Sequence, residues 1–154
     1  MAGKIEAHIT SLGLRLPMAS TPVANYVPYV KTGNLLFISG QLPLQDGVVQ
    51  YAGLVGAGIS SEQAYEAAKI CGLNLIAQAK AACGDLDRVT RVVKLTGFVA
   101  SGEEFTDHPK VVNGASDLMV QVFGDAGRHC RVAVGAPSLP RGACVEVEAI
   151  FEVA

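Results

Sequence analysis

The stretch VEVEAIFEV, Val145–Val153, alternates between apolar and acidic side chains. Every second residue, beginning with Val145, is apolar, and three of the four residues between them are glutamates. Successive side chains of a β-strand point to opposite faces of a sheet, so this period predicts a strand with one face on the core. Ile150 is the one residue out of pattern. The C-terminal segment therefore predicts a sheet, and the other elements are placed around it.

A second alternating segment, RVAVGA at residues 131–136, precedes this strand. Its valines are expected to face the core, and Arg131 the opposite, polar face, beside the small Ala133 and Gly135. A short segment containing Pro and Gly separates the two strands, so they could pair antiparallel. In that arrangement, Glu146 lies on the same face as Arg131.

The rest of the chain divides into helical and extended segments by the same criterion. Helices are predicted over residues 4–12, 61–83 and 110–123, and strands over residues 26–32, 35–38 and 88–100. Ser60 and Gln63 have the spacing of a capping box before the longest helix. A turn at Gly33 and Asn34 joins the first two strands, and the second of these is apolar throughout, as expected of burial on both faces. The order of elements predicts an α+β fold with two main helices packed on one face of a sheet.

Composition narrows the class of protein. The chain has 154 residues, the size of one ordinary domain, and 50% of them are hydrophobic while 17% are charged. So much apolar surface with so few charges favours a homo-oligomer. The net charge is −2 and no run of Lys or Arg occurs, so nucleic acid is not an expected partner. We find no apolar stretch of membrane-spanning length and no signal-peptide pattern, and we expect a cytoplasmic protein.

Metal and nucleotide sites are not predicted. The four cysteines contain no C-x-x-C pair, and the three histidines form no H-x-x-x-H or H-E-x-x-H motif. The sequence contains neither G-x-G-x-x-G nor a Walker loop, and no serine or cysteine has the setting of a nucleophile. We therefore expect a site without a metal, in which ordinary polar side chains carry the chemistry.

Arg131 is the strongest candidate for ligand binding. Its guanidinium is a planar fork that matches a carboxylate, and the small Ala133 and Gly135 beside it leave room for a ligand. On the same predicted face, Glu146 could position or deprotonate a water molecule. The alternative is a surface Arg–Glu pair across two strands, which is common and contributes little to stability. The residues alone favour that alternative.

A second candidate lies where the apolar strand ends, in the tripeptide Ser39-Gly40-Gln41. A glycine there allows a ligand to approach the backbone closely, although a glycine in a strand more often marks a β-bulge or a strand end. Tyr26 and Asn113 are further polar residues that could line a pocket.

Two longer motifs frame these candidates. They are GNLLFISGQLP, residues 33–43, and RVAVGAPSLP, residues 131–140, the latter followed by VEVEA at residues 145–149. In this order they resemble the G-N-x-x-x-x-S-G-Q-x-P segment and the R-x-x-V-x-x-x-x-L-P and V-E-I-E-A signature of the reactive intermediate deaminase family, also called RidA or YjgF. With the strand VVKLTGFV at residues 92–99, the resemblance extends from about Tyr26 to the C-terminus.

The resemblance implies a chorismate-mutase-like fold with a mixed sheet, assembled as a homotrimer with active sites in clefts between subunits. It implies hydrolysis of reactive enamines and imines, such as 2-aminoacrylate, to 2-keto acids and ammonia, without a cofactor. On the matching positions, Arg131 binds the substrate carboxylate, Glu146 orients the hydrolytic water, and Tyr26 is the active-site tyrosine. The residues that line the substrate pocket are then Ser39, Gly40, Phe98, Asn113 and Ala133, together with Arg131.

The chain departs from the family's pattern near the proposed site. Ala133 and Gly135 stand where a cysteine and a larger polar residue are frequent, and the segment from Phe105 to Asn113 is longer than usual. These differences imply a divergent subgroup whose preferred substrate need not be 2-aminoacrylate.

Residues 1–24 are predicted to be an N-terminal helical extension, and residues 25–154 the domain of the family. Two other functions stay open on this sequence. One is a non-catalytic protein that binds or senses small carboxylated metabolites, and the other is the endoribonuclease activity ascribed to some relatives. The negative net charge argues against the second.

Overall fold

In the computed structural model, residues 3–154 are described and form three α-helices and nine β-strands. The helices are α1 (Lys4–Ser11), α2 (Ser61–Cys83) and α3 (His108–Phe123). The main sheet contains β1 (Tyr29–Thr32), β2 (Leu35–Gln41), β7 (Val89–Ala100), β8 (Cys130–Ala136) and β9 (Val145–Val153). Four strands of two residues lie between β2 and α2, namely β3 (Leu44–Gln45), β4 (Val48–Val49), β5 (Leu54–Val55) and β6 (Gly58–Ile59).

The main sheet has the strand order β1-β2-β9-β7-β8. Neighbouring strands are antiparallel except β7 and β8, which are parallel and are connected through α3. Parallel strands need such a crossover, because the chain must return to the starting end of the sheet before the second strand begins. The prediction of an α+β fold with a mixed sheet is confirmed.

The central strand β9 has the predicted period. Its alternate residues from Val145 to Val153 are buried beneath the helices. Leu36 and Ile38 of β2 and Leu95 of β7 are buried on the same face. All three helices lie on this side, so the core is a single layer of side chains between the sheet and the helices.

Local signals in the sequence set the helix ends. The predicted capping box is present, since Ser60 Oγ accepts from the Gln63 backbone and the Gln63 side chain accepts from the Ser60 backbone, both at 3.0 Å. Helix α2 has the bounds that the sequence predicts. Helix α3 begins two residues earlier than predicted, at His108, because Pro109 fits the first turn of a helix. Strand β1 is shorter than predicted, since Pro28 lacks an N–H and pairing begins after it.

Helices α2 and α3 pack closely at two glycines, Gly72 and Gly114. A side chain at Gly72 would come within 2.8 Å of Leu118 in α3. A side chain at Gly114 would collide with the backbone carbonyl of Tyr65 in α2. The missing side chains bring the two helices together and fix α3 over β7 and β8. This packing therefore fixes the distance between β8 and the polar edge of α3 that faces it.

The predicted N-terminal helix is present and lies against the body of the fold. Asp87 caps it, because its carboxylate accepts from the backbone N–H groups of Lys4 and Ile5 at 3.0 and 2.9 Å. Glu6 pairs with Lys80 of α2 at 2.9 Å, and Ile9 is buried. Residues 1 and 2 of the predicted extension lie outside the described residues.

The expected pairing of β8 with β9 is wrong. Strand β9 lies between β2 and β7, and β8 lies beyond β7 at the edge of the sheet. The connection between β8 and β9 contains a short 3₁₀ turn, Pro140–Gly142, and passes β7 instead of forming a hairpin. The crossover through α3 determines which strand β8 pairs with, and the pattern of residues 131–136 does not predict this partner.

The expected orientation of β8 is also wrong. Val132 and Val134 are 46% and 39% exposed on the side of the sheet that carries no helix, and Arg131 points towards α3. The strand at residues 35–38 is not buried on both faces either, since Phe37 is 40% exposed on that same side next to Val30. We call this side the open face; exposed apolar side chains lie on its outer strands, and the glutamates of β9 lie at its centre.

Within residues 3–154, no helix is both long and apolar enough to cross a membrane.

Candidate functional site

Arg131 lies on β8 and is held by the edge of α3. Its Nη1 donates to Asn113 Oδ1 at 2.8 Å and to Ser116 Oγ at 3.0 Å, and its Nη2 donates to the carbonyl oxygen of Pro109 at 3.2 Å. A guanidinium has five N–H groups, so Nε–H and one N–H of Nη2 have no acceptor among residues 3–154. The guanidinium is thus fixed by the protein and still has donors for a ligand.

Two further residues extend this network away from Arg131. Ser116 Oγ lies 2.8 Å from His129 Nε2, and His129 Nδ1 lies 2.7 Å from the carbonyl oxygen of Gly127. His129 is partly buried where the chain enters β8. We call Arg131, Asn113, Ser116, Pro109 and Ala133 the arginine site.

Beside the arginine site, His108 fills the space that the small Gly135 leaves. A side chain at Gly135 would come within 2.7 Å of His108 Nε2. His108 also lies 3.4 Å from the hydroxyl of the buried Ser101 and packs edge-on against Phe105. The longer segment from Phe105 to Asn113 thus contains a ring that lies against Gly135, where the resemblance implies a larger polar residue.

Glu146 lies on the open face and approaches the backbone of β2. A side chain at Gly40 would stand only 2.5 Å from Glu146 Oε2, so the glycine leaves space for this carboxylate. The register between β2 and β9 shifts between Ile38 and Gln41. Gly40 therefore lies in a β-bulge, as one of the two interpretations expected, and the bulge is also where the carboxylate meets the strand.

Two other predicted site residues, Phe98 and Ser39, lie on the strands beside Glu146, and Tyr26 lies on the segment that contacts Ser39. Phe98 is opposite Glu146 in register on β7 and partly exposed on the same face. Ser39 donates to the carbonyl oxygen of Val27 at 2.8 Å, which brings the segment that contains Tyr26 to the end of β2. Tyr26 is 54% exposed. We call Glu146, Gly40, Ser39 and Phe98 the glutamate site.

The two sites face away from each other within one chain. Arg131 is in register with Leu95 and, through it, with Ala149, and both are buried on the helix side. Glu146 is three residues from Ala149 on the same strand and so points to the opposite, open face. Strand β7 lies between β8 and β9, which separates the two backbones by roughly 10 Å. The expectation that Arg131 and Glu146 share a face is therefore wrong.

The two sites also differ in electrostatics. Burial raises the pKa of Glu146, and the neighbouring carboxylate of Glu148 raises it further. Burial lowers the pKa of His129; the carbonyl of Gly127 opposes this shift, and the charge of Arg131 adds to it. Glu146 is thus a carboxylate of raised basicity, whereas His129 is held in its neutral form.

Sequence reasoning missed Ser116, His129, Pro109 and His108. Each is a lone polar residue or a backbone group, and nothing in the local pattern connects it with Arg131. Ser116 is three residues after Asn113, so it lies on the same side of α3, and that spacing is the one signal that could have indicated it.

Comparisons with known proteins agree with this fold. The YjgF/chorismate mutase-like family, whose description also carries the name endoribonuclease, matches residues 6–153. This chain belongs to that family. The match includes most of α1, and the assignment of residues 1–24 as an extension stays a prediction.

Individual relatives match over almost the whole chain. Protein TCP17 of Trypanosoma cruzi is 48% identical over 153 residues, which are 99% of this chain and 96% of that protein. A crystal structure of a protein of unknown function from Agrobacterium tumefaciens is 49% identical with a TM-score of 0.91, and the match covers 97% of this chain and 92% of that one. A 2-iminobutanoate/2-iminopropanoate deaminase of Dermatophagoides farinae is 27% identical over 137 residues, or 89% of this chain and 92% of that protein.

Proposed function

We propose that this protein hydrolyses small enamines and imines that carry a carboxylate, of the 2-aminoacrylate type, to 2-keto acids and ammonia. The observation that carries the proposal is the hydrogen bonding of the Arg131 guanidinium. Three acceptors fix its guanidinium while two of its N–H groups stay without an acceptor in the described chain. Such a group binds a carboxylate with little loss of side-chain entropy, because its own side chain is already ordered.

Glu146 is the proposed base. It has no hydrogen-bond donor among residues 3–154, it is partly buried, and its pKa is raised. A carboxylate of raised basicity in a half-buried setting accepts a proton from water more readily than an exposed one does. The missing side chain at Gly40 leaves the space that the Glu146 carboxylate occupies.

The reaction needs few groups. The enamine first takes a proton at its terminal carbon and becomes an iminium. The oxygen of water then bonds to the iminium carbon, the electron pair of the C=N bond moves to nitrogen, and Glu146 takes a proton from the water. That proton passes to the nitrogen of the resulting carbinolamine. The hydroxyl group then loses its proton to Glu146 and forms the C=O bond as the C–N bond breaks, so ammonia departs and a 2-keto acid remains. Glu146 returns this proton to the solvent, which balances the one taken up by the enamine. Anchoring by Arg131 and a placed water supply the catalysis through positioning.

We further propose that the site is completed between subunits of a homotrimer. Arg131 and Glu146 point to opposite sides of one sheet, so one chain does not bring them to the same ligand. The open face carries exposed apolar side chains, including Val30, Phe37 and Val132, which favours burial against another copy. A second subunit whose open face lies beside β8 would place its own Glu146 opposite Arg131.

The direct test follows keto-acid formation after a dehydratase releases 2-aminoacrylate, with and without this protein. We expect acceleration over spontaneous hydrolysis, and Arg131→Lys to lower kcat/KM at least about tenfold because the planar fork is lost. Arg128→Lys is the matched control, since Arg128 is exposed and its one ion pair within the described part of the chain is with Asp125. If the protein accelerates nothing yet binds 2-keto acids through Arg131, the function is binding or sensing instead of turnover.

A further inference from the structure

We infer that Ser116 and His129 are positioning residues for Arg131, which together fix its guanidinium in the orientation that receives a carboxylate. This inference rests on the proposed role of Arg131. It concerns how the arginine is held, and it applies whether the bound carboxylate is turned over or only retained.

Hydrogen bonds connect Gly127, through His129 and Ser116, to Arg131, and the donor of each bond follows from the atoms that it joins. The carbonyl oxygen of Gly127 only accepts, so His129 Nδ1, 2.7 Å away, carries the proton. In the neutral ring Nε2 then only accepts, so the Ser116 hydroxyl donates to it at 2.8 Å. Arg131 Nη1 only donates, and it does so to a lone pair of Ser116 Oγ at 3.0 Å. With a neutral ring, each of these bonds has one possible donor, so the bonds cannot run in the opposite direction.

His129 fixes the serine, and the serine fixes the arginine. Within a helix, a serine hydroxyl ordinarily donates to the carbonyl oxygen four residues earlier. Here the hydroxyl of Ser116 donates instead to His129, out of α3 and towards β8. That orientation presents its lone pair to Nη1. Without His129, the hydroxyl is free to turn back to its own helix, and Arg131 loses one of three acceptors.

The position of these residues supports a role beyond stability. Ser116 and His129 are partly exposed, and neither belongs to the hydrophobic core. Within residues 3–154, their hydrogen bonds to side chains lead only to one another and to Arg131. Burial and the charge of Arg131 lower the pKa of His129, which keeps the acceptor at Nε2 available near neutral pH. The network thus ends at the guanidinium.

The experiment compares His129→Ala with His129→Gln and Ser116→Ala at pH 8, using pyruvate as the carboxylate probe in calorimetry and the dehydratase-coupled assay for turnover. We expect His129→Ala and Ser116→Ala to weaken pyruvate binding and to raise KM about three- to tenfold, with kcat less affected. His129→Gln keeps an N–H donor and an oxygen acceptor on one amide, so it should retain most of the affinity. His8→Ala is the matched control, because His8 also contacts a backbone carbonyl, that of Gln121, but lies on α1.

A second measurement does not depend on any substrate. In ¹⁵N NMR of the whole protein, slow rotation about the Nε–Cζ bond of Arg131 should be seen in the wild type and in His129→Gln, and faster rotation in His129→Ala. Equal rotation in all three would overturn the inference, whatever the protein turns over. A wild type that neither turns over substrate nor binds pyruvate could still show the expected change in rotation. That result would refute the proposed function but not the positioning of Arg131 by Ser116 and His129.

The double variant Arg131→Lys with His129→Ala distinguishes the positioning of Arg131 from a general effect on stability. In Arg131→Lys, the added change His129→Ala should produce no further loss of affinity, because the group that His129 positions is gone. An equal loss in both backgrounds, or a fall in Tm that accounts for it, would show that His129 is structural only.

Discussion

The arginine site and the glutamate site differ in how much of each is finished within one chain. Arg131 donates to three acceptors from α3, and a further pair of residues orients one of these acceptors. Glu146 lies half-buried beside Gly40 with no hydrogen-bond donor among residues 3–154. The half proposed to anchor the ligand is thus ordered within one chain, while the half proposed for proton transfer has no hydrogen-bond donor within residues 3–154. A charged group that is partly buried and without partners is costly, which is why such groups are concentrated at functional sites.

The largest expected effect comes from mixing two inactive variants. Arg131→Ala and Glu146→Gln should each lower kcat/KM about a hundredfold or more, through loss of the carboxylate anchor and of the general base. If each site takes Arg131 from one subunit and Glu146 from the next, unfolding and refolding the two together should restore about a quarter of the sites.

The two variants refolded separately and then combined serve as the control for this experiment. Native mass spectrometry should show mixed trimers in the co-refolded sample. Mixed trimers without recovered activity would mean that Arg131 of one subunit and Glu146 of another do not form one site.

A smaller effect is expected from Gly40→Ala. The added methyl group would stand 2.5 Å from Glu146 Oε2, so the carboxylate must move. We expect kcat to fall about tenfold with little change in the affinity for pyruvate, because the arginine site is untouched. Gly102→Ala is the control, since a side chain there meets open space and the residue has no left-handed backbone conformation. Loss of pyruvate affinity in Gly40→Ala, with kcat unchanged, would contradict the separate roles.

The smallest effect concerns pH. Glu148 contributes to the raised pKa of Glu146, although burial is the larger cause. A base works above its pKa, so activity in the wild type should fall on the acid side at a higher pH than an ordinary glutamate would give. Glu148→Gln removes one negative charge, lowers the pKa of Glu146 and should move the acid limb to lower pH by less than about one unit. Glu152→Gln should leave the profile in place, because its carboxylate accepts from Thr90 and does not act on Glu146.

The elements of the fold were predictable because their signals are local. The alternation in Val145–Val153 and the capping box at Ser60 each depend on residues a few positions apart, and both are present. The pairing of β8 was not predictable from such signals, because it depends on the crossover through α3 and on β9 entering between two earlier strands. The face of Arg131 was predicted from the alternation in residues 131–136 and was wrong as well, because Val132 and Val134 are exposed on the open face.

The candidate site was predictable in part and for a different reason. Arg131, Glu146 and Asn113 came from motif positions, and the structure places Asn113 2.8 Å from Arg131 in spite of the longer segment before it. Ser116 and His129 had no motif, since a serine and a histidine thirteen residues apart become neighbours only when α3 lies antiparallel to β8. Motifs name the groups that touch a ligand more readily than the groups that hold them.

The contact between Arg131 and Pro109 has a consequence for how this site can change over evolution. The acceptor is a main-chain carbonyl oxygen, so an exchange of the side chain at position 109 removes it only if α3 then begins at another residue. Both Pro109 and the length of the loop before that helix set the starting point. Insertions between Phe105 and His108 are therefore a route by which selection can retune ligand preference while the sheet and its arginine stay unaltered.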